Sequence, residues 1–112
     1  MSIRQGEIVL VPVPFTDLTS NRRRPVIVVS NDAYQVGTVD FVAVAMTTSL
    51  KAEPFSFVIT SADLAVGALN RPGRVRVDKI YTLAQSLVVA RFGRVSDVVL
   101  NRIRTELALL TR

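Results

Sequence analysis

The stretch that decides the fold is residues 21–29, which read Asn-Arg-Arg-Arg-Pro-Val-Ile-Val-Val. A short run of β-branched apolar residues is typical of a strand buried on both faces. Proline is tolerated at the start of a strand and poorly inside a central one, so we expect Arg24 at the entrance of a core strand, beside the rigid Pro25. A guanidinium held there can bind two phosphate oxygens at once. Basic runs beside strands are more often solvated edges that block edge pairing, and this alternative stays open.

Length and residue types narrow the possible chemistry. The 112 residues predict one domain, residues 1–112, with a single core. The chain has no cysteine and no histidine, which excludes disulfides, thiolate metal sites, histidine proton relays and Ser-His-Asp triads. Any catalysis must therefore use carboxylates, hydroxyls, arginine, lysine, tyrosine or the backbone, and we predict neither a cofactor nor a bound metal ion.

Charge and hydropathy indicate the kind of partner. The net charge is +5, and all basic residues except Lys51 and Lys79 are arginines, which favours a polyanionic partner. The apolar fraction of 49% is high for a short chain and indicates a self-associating face in addition to a core. The sequence shows no signal-peptide pattern and no apolar run of about 20 residues, the length that crosses a bilayer. We therefore expect a cytoplasmic protein.

Local patterns predict five to seven short strands and one terminal helix. The predicted strands are residues 8–11, 26–29, 40–48, 55–59, 74–78 continued by 80–83, and 88–95 with a bulge at Gly93. Residues 15–21 and 34–38 are predicted loops, and residues 62–66 one helical turn. Ser96 is a predicted N-cap, followed by apolar residues at helical spacing from Val99 to Leu110. Such a chain predicts a mainly β fold, a small bent sheet that closes into a partial barrel.

Alternation in residues 40–48 separates the two faces of that strand. Val42, Val44, Met46 and Thr48 share the bulkier face, which we assign to the core. Phe41, Ala43, Ala45 and Thr47 share the other face, where two alanines leave room for close approach. The sequence therefore predicts Thr47 as the accessible hydroxyl, although threonine is also simply a good strand residue.

Two cations, a hydroxyl and a carboxylate can be combined into a phosphodiester site. Arg24 lies at a strand entrance, Thr47 at a strand end, and Arg76 and Asp78 are two apart on one face. Cleavage of RNA by its own 2′-hydroxyl needs a proton acceptor, a proton donor and groups that stabilise charge on the phosphate. Asp78 is the candidate acceptor, although neighbouring arginines lower the pKa of a carboxyl. An exposed structural ion pair between Arg76 and Asp78 is the alternative.

Four segments, in this order and spacing, carry a family resemblance. They read Gly-Glu-Ile-Val-Leu-Val at 6–11, Arg-Pro-Val-Ile-Val-Val-Ser at 24–30, Val-Ala-Met-Thr-Thr at 44–48 and Val-Arg-Val-Asp-Lys-Ile at 75–80. With them the chain resembles the MazF/PemK family of bacterial toxin endoribonucleases over nearly its whole length. The resemblance implies an SH3-like barrel that forms a homodimer and binds single-stranded RNA.

The resemblance also implies a mechanism and a partner. It implies metal-independent, sequence-selective cleavage by 2′-hydroxyl attack, leaving a 2′,3′-cyclic phosphate and a 5′-hydroxyl. The family's catalytic arginine and threonine fall on Arg24 and Thr47, and the acid and base roles of the PemK branch fall on Arg76 and Asp78. It further implies inhibition by a cognate antitoxin with an acidic, disordered segment. The residues that we predict to contact RNA are Phe15, Thr16, Arg23, Thr48 and Arg74.

Two other functions fit the same barrel. One is a non-catalytic toxin similar to the gyrase-poisoning relatives, and the other is an autoregulatory nucleic-acid-binding module that has lost catalysis. The non-catalytic toxin does not need Arg24 and Thr47 together, so cleavage of RNA separates it from an endoribonuclease. For the autoregulatory module, Arg24→Ala should weaken binding but would have no cleavage activity to abolish.

Overall fold

The computed structural model describes residues 3–12 and 23–112, which form seven β-strands and two α-helices. The strands are β1 (Glu7–Val11), β2 (Arg24–Val28), β3 (Asp40–Thr47), β4 (Ser56–Ile59), β5 (Leu64–Gly67), β6 (Gly73–Ala84) and β7 (Ala90–Val95). The helices are α1 (Asp32–Gly37) and α2 (Asp97–Leu110), and single 3-10 turns lie at Ser61–Asp63 and Gln85–Leu87.

The described strands form one antiparallel sheet in the order β4-β6-β3-β2-β1-β7-β5. The sheet curls into a partial barrel, and α2 follows the last strand. This confirms the predicted fold class: a mainly β, SH3-like partial barrel with a terminal helix. The predicted N-cap of α2 is also confirmed, because the Ser96 side chain accepts a hydrogen bond from the Val99 N–H at 3.3 Å.

β2 is buried on both faces, as its unbroken apolar run predicts. Ile27 packs in a cluster with residues of β3, β4, β6 and α2, whereas Val26 and Val28 pack in a second cluster with residues of β1 and β3. Burial of a valine or isoleucine side chain stabilises a fold by about 1.5–3 kcal/mol. The strand lies in the middle of the sheet with two buried faces, so it holds the backbone of its first residue, Arg24, in a fixed position.

The open face predicted for β3 is wrong for the first half of that strand. Phe41 and Ala43 are fully buried in the second cluster, because the curled sheet covers both faces of β3 there. Ala45 and Thr47, nearer the end of the strand, line a cleft. Close approach of a ligand is therefore confined to the end of β3 that carries Thr47.

Two predictions for the connecting segments are wrong. Residues 34–38, predicted as a loop, belong mostly to α1, whose N-cap is the Asn31 side chain, bonded to the Tyr34 N–H at 2.8 Å. Asn31 and Asp32 suggest a turn from sequence, and six residues are too few to show helical periodicity. The helical turn predicted at residues 62–66 is shorter than expected, because Leu64–Gly67 pairs with β7 as strand β5.

Two glycines permit the paired strands β5 and β7 to approach each other closely. Gly67 lies opposite Gly93, with φ angles of +89° and +145°. A Cβ on Gly67 would lie 2.2 Å from the Phe92 carbonyl oxygen. The predicted bulge at Gly93 is confirmed, because Ile8 pairs with Gly93 but the next residue of β1 pairs with Arg91, which leaves Phe92 outside the ladder.

Replacing Gly67 with alanine is expected to lower the free energy of unfolding by about 2 kcal/mol or more, because the new methyl group meets backbone and the φ angle is positive. Gly37→Ala is the matched control, since a Cβ there meets no atom within 4 Å and alanine favours helix. Urea unfolding of both variants measures the difference. Equal stability of Gly67→Ala and the wild-type protein would contradict the assigned close contact.

Candidate active site

Arg24 and Thr47 lie at neighbouring strand ends. β2 begins at Arg24, β3 ends at Thr47, and the two strands pair antiparallel with Val26 opposite Ala45. Extending that register by two residues brings Arg24 opposite Thr47, and opposed residues of antiparallel strands share one face. Both residues line one cleft of about 200 Å³. The structure thus brings together the two residues that the sequence predicts side by side, while their catalytic roles stay predictions.

This cleft, which we call the cationic cleft, lies between β2, β3, β6 and the segment that links β3 to β4. Its lining residues are Arg24, Ala45, Met46, Thr47, Ser49, Lys51, Glu53, Arg74, Arg76, Lys79 and Tyr81. Five of these side chains are cationic and only Glu53 is anionic. An excess of positive charge in a concave site attracts phosphate groups.

The hydroxyl of Thr47 is oriented by the chain that follows it. Its Oγ1 accepts a hydrogen bond from the Ser49 N–H at 3.2 Å. A threonine hydroxyl has one proton to donate and two lone pairs. With one lone pair directed to Ser49, the proton can be donated to a phosphate oxygen in the cationic cleft.

β6 is bulged where it crosses β3. Val44 pairs with Ile80, but the next residue, Ala45, pairs with Arg76, so three residues of β6 lie outside the regular ladder. An odd number of inserted residues reverses the alternation of side chains beyond a bulge. Tyr81 therefore lies on the same face as Arg76, where strict alternation would place Ile80.

Tyr81 is a residue of the cationic cleft that sequence reasoning missed. Burial raises the pKa of Tyr81, and the positive charges of Arg24 and Arg76 only partly oppose this rise. The phenol therefore keeps its proton at neutral pH and can donate a hydrogen bond to an anion. Its position depends on the bulge, which the sequence does not reveal.

Arg76 and Asp78 form a two-pronged ion pair. Arg76 Nε donates to Asp78 Oδ1 at 3.0 Å, and Nη2 donates to Oδ2 at 2.9 Å. The hydrogen bond from Arg76 holds the pKa of Asp78 below its usual range, and the same bond raises the pKa of Arg76. Asp78 is therefore ionised at neutral pH, with both oxygens bonded to Arg76. This geometry favours orientation of Arg76 over removal of a substrate proton.

Arg74, predicted as an RNA contact, is buried and holds the segment between β3 and β4. Its side chain is bonded to Ser56 Oγ at 3.0 Å and to the Leu50 carbonyl at 2.9 Å. Ser56 Oγ in turn donates to the Glu53 carbonyl at 2.6 Å. Arg74 thus fixes the segment that carries Lys51 and Glu53 into the cationic cleft, a positioning role additional to any contact with RNA.

Replacing Arg74 with methionine is expected to lower stability by about 1–3 kcal/mol, because two part-buried hydrogen bonds, to Ser56 Oγ and to the Leu50 carbonyl, are lost. Loss of order in the same segment should lower RNA cleavage about tenfold. Urea unfolding and a cleavage time course measure the two effects. Arg94→Met, at an exposed strand arginine, is the control. It should leave the stability nearly unchanged and the cleavage rate within about twofold of wild type. Unchanged stability of Arg74→Met would contradict the positioning role.

The other predicted RNA contacts divide by location. Phe15 and Thr16 lie outside the described residues. Arg23 is exposed immediately before β2, and Thr48 is exposed immediately after β3. Thr48 lines a second cleft beside the cationic cleft. Lys51, Glu53 and Lys79 were missed by sequence reasoning, because nothing in their immediate sequence distinguishes them from other exposed charges.

Among residues 3–12 and 23–112, no group of three or more Asp, Glu, His or Cys side chains is arranged to hold a metal ion. Within the same part of the chain, no helix combines the length and apolar character needed to cross a membrane.

Fold and cleft together define a small protein with a β partial barrel and a cleft lined mainly by cationic side chains. A family model described as PemK-like, MazF-like toxin of type II toxin-antitoxin system matches residues 4–111. The chain belongs to this family, which confirms the resemblance seen in the sequence. No curated protein sequence matches the chain significantly.

Solved structures with the same fold include two mycobacterial proteins. An endoribonuclease from a mycobacterial species is 27% identical, with a TM-score of 0.77, and the match covers 99% of this chain and 92% of that one. A mycobacterial endoribonuclease in complex with its cognate antitoxin is 26% identical, with a TM-score of 0.73 and coverages of 97% and 94%. A MazE–MazF complex from Deinococcus radiodurans is 26% identical, with a TM-score of 0.75 and coverages of 97% and 95%.

Proposed function

We propose that this protein is a toxin endoribonuclease that cleaves single-stranded RNA at selected sequences, without a metal ion. The observation that supports it most directly is the convergence of Arg24, Thr47 and Arg76 on one cationic cleft. Family membership and the endoribonucleases among the structural relatives support the same activity.

In the proposed reaction the 2′-oxygen of a ribose attacks the adjacent phosphorus. The O2′–P bond forms and the P–O5′ bond breaks, which leaves a 2′,3′-cyclic phosphate and a 5′-hydroxyl. The 2′-hydroxyl loses a proton to a carboxylate, and the departing 5′-oxygen gains one from solvent water. Arg24 and Arg76 stabilise the charge that builds on the phosphate oxygens, because guanidinium groups stay charged and donate two hydrogen bonds at once. The hydroxyls of Thr47 and Tyr81 add neutral donors.

Two carboxylates near the cationic cleft are candidates for the base that removes the proton of the 2′-hydroxyl. Glu53 lines the cleft itself, whereas both oxygens of Asp78 accept hydrogen bonds from Arg76. A base that already accepts two charge-assisted hydrogen bonds takes a further proton poorly. The proposal therefore gives proton removal to Glu53 and gives Asp78 the role of positioning Arg76.

Glutamine at position 53 is expected to lower the cleavage rate about 100-fold, because it cannot accept a proton. Asp78→Asn should cost about tenfold, because Arg76 then loses its charge-assisted bonds. The hydrogen bond from Arg76 lowers the pKa of Asp78, so its carboxylate stays ionised, and its bonds to Arg76 stay charge-assisted, between about pH 5 and pH 8. Cleavage rates of both variants at neutral pH provide the measurement; a larger loss in Asp78→Asn than in Glu53→Gln would reverse the two roles.

Cleavage of a mixed-sequence RNA in EDTA tests the proposed function. The purified chain should produce fragments whose 5′ ends accept phosphate from a polynucleotide kinase without prior phosphatase treatment. The 3′ ends of the fragments should resist enzymatic addition of a nucleotide, because the cyclic phosphate leaves no free 3′-hydroxyl. Intact RNA together with inhibited cell growth would favour a non-catalytic toxin. Intact RNA together with tight binding would favour an autoregulatory module.

The proposed partners follow from the same site. A cognate antitoxin with an acidic, disordered segment suits a cleft lined by five cations, and two of the structural relatives were solved with antitoxins. A homodimer is consistent with exposed apolar side chains such as Val36 and Val39, which are 75% and 78% exposed in the single chain. An RNA-cleaving toxin of this kind acts in the cytoplasm.

A further inference from the structure

A second cleft, of about 240 Å³, lies on the other side of the end of β3. We call it the apolar cleft. It is bounded by Pro25, by Met46 to Thr48, by residues 68–73 between β5 and β6, and by Phe92 of β7. Met46 and Thr47 line both clefts. A ligand held by Thr47 in the cationic cleft therefore has the apolar cleft immediately beside it.

The apolar cleft combines a flat aromatic surface with polar edges. Phe92 is 43% exposed, and Leu69 and Pro72 supply further apolar surface beside it. Asn70 and Arg71, together with Thr48, contribute amide, guanidinium and hydroxyl groups. Stacking on an aromatic side chain accepts any nucleobase, whereas hydrogen bonds from such polar groups distinguish one base from another.

The shape of the apolar cleft is built into the fold. Phe92 is the residue left outside the ladder by the bulge in β7, and bulges redirect side chains. The Ser61 hydroxyl is bonded to both backbone groups of Leu69, accepting from its N–H at 2.8 Å and donating to its carbonyl at 3.0 Å. The close approach of Gly67 to Gly93 fixes the start of residues 68–73. Both walls are therefore in place before a ligand binds.

We propose that the apolar cleft binds a nucleobase next to the scissile phosphate and sets the base preference of cleavage at that position. Phe92 stacks on the base, and Asn70 and Arg71 bind its edge. The inference rests on the proposed endoribonuclease function and adds to it the part of the substrate that each cleft receives. Continuity with the cationic cleft through Thr47 favours a nucleotide over a separate ligand.

RNA oligonucleotides that carry one abasic site at successive positions around the cleaved bond test this proposal. With the wild-type protein, one abasic position should lower kcat/KM about tenfold through loss of stacking. Phe92→Ala should lower kcat/KM for the intact RNA about tenfold and show no further loss at that same position. Asn70→Ala should relax the base preference there and leave the other positions unchanged. Val98→Ala, at an exposed apolar residue of α2, is the control for loss of an apolar side chain.

Each other outcome has a distinct meaning. If the wild-type protein leaves all RNA intact, the proposed function fails first. If it cleaves RNA, but Phe92→Ala retains full activity or loses activity equally at every abasic position, the base site is refuted. If Phe92→Ala changes only dimer formation or only antitoxin affinity, the apolar cleft belongs to a protein interface and the proposal is overturned. A thermal unfolding curve for Phe92→Ala, compared with wild type, verifies that the variant is folded.

Discussion

Alanine at position 24 is expected to lower the rate of RNA cleavage by about three orders of magnitude or more. Removing one preorganised donor from a developing oxyanion typically costs about 10²–10³ in rate, and Arg24 supplies two donors and a full charge. Arg24 lies at the entrance of a strand whose next residues are buried on both faces, so its backbone is held in place. A water molecule that replaced the guanidinium in Arg24→Ala would not be held in the same position. Stability should change little, because Arg24 itself is only partly buried.

Two further variants separate charge from geometry at this position. Arg24→Lys keeps the charge but loses the planar fork, and should recover only a small part of the lost rate. Arg104→Ala removes one positive charge from α2, outside both clefts, and should leave the rate within about twofold of wild type. Cleavage by Arg24→Ala at the wild-type rate would refute the assignment of Arg24 to the phosphate.

Valine at position 47 should lower the cleavage rate by several hundredfold, the second largest of the expected effects. Valine has the shape of threonine and keeps strand propensity, so the substitution removes the hydroxyl and little else. The lost group is the donor that the Ser49 N–H orients toward the cationic cleft. A loss of about 10²–10³ is typical of one such donor. Single-turnover cleavage of a preferred RNA measures it without interference from product release.

Serine at position 47 retains the hydroxyl and should restore at least a tenth of the wild-type rate. Thr82→Val is the matched control, because Thr82 is an exposed threonine in the adjacent strand β6 and lines neither cleft. If Thr47→Val and Thr82→Val cleave RNA equally fast, the hydroxyl of Thr47 has no part in the reaction.

Local signals in the sequence predict the elements that hold the first two catalytic candidates. The apolar run after Pro25 predicts a doubly buried strand, and alternation up to Thr47 predicts that its hydroxyl is the accessible one. Ser96 and the spacing of Val99 and Ile103 predict α2. Each of these signals lies within a few residues of the feature that it predicts, so a single sequence is sufficient to detect it.

The remaining parts of the site depend on contacts between distant residues. Arg74 is predicted from the sequence as an RNA contact, but its partners Ser56 and Leu50 lie 18 and 24 residues away. Tyr81 enters the cationic cleft because β6 skips three residues against β3. Neither arrangement leaves a periodic trace in the sequence, because each depends on how strands register against one another in the folded chain.

Burial of β2 on both faces has a consequence for genetic screens. In a selection for cells that survive expression of this chain, substitutions of Val26, Ile27 and Val28 will be recovered as readily as substitutions of Arg24. The first three abolish toxicity because the polypeptide misfolds and is degraded, and the last because a folded protein is inert. Survivor frequencies along this strand therefore depend both on the amount of folded protein and on its catalytic activity. Immunoblots of the surviving clones are needed to separate the two.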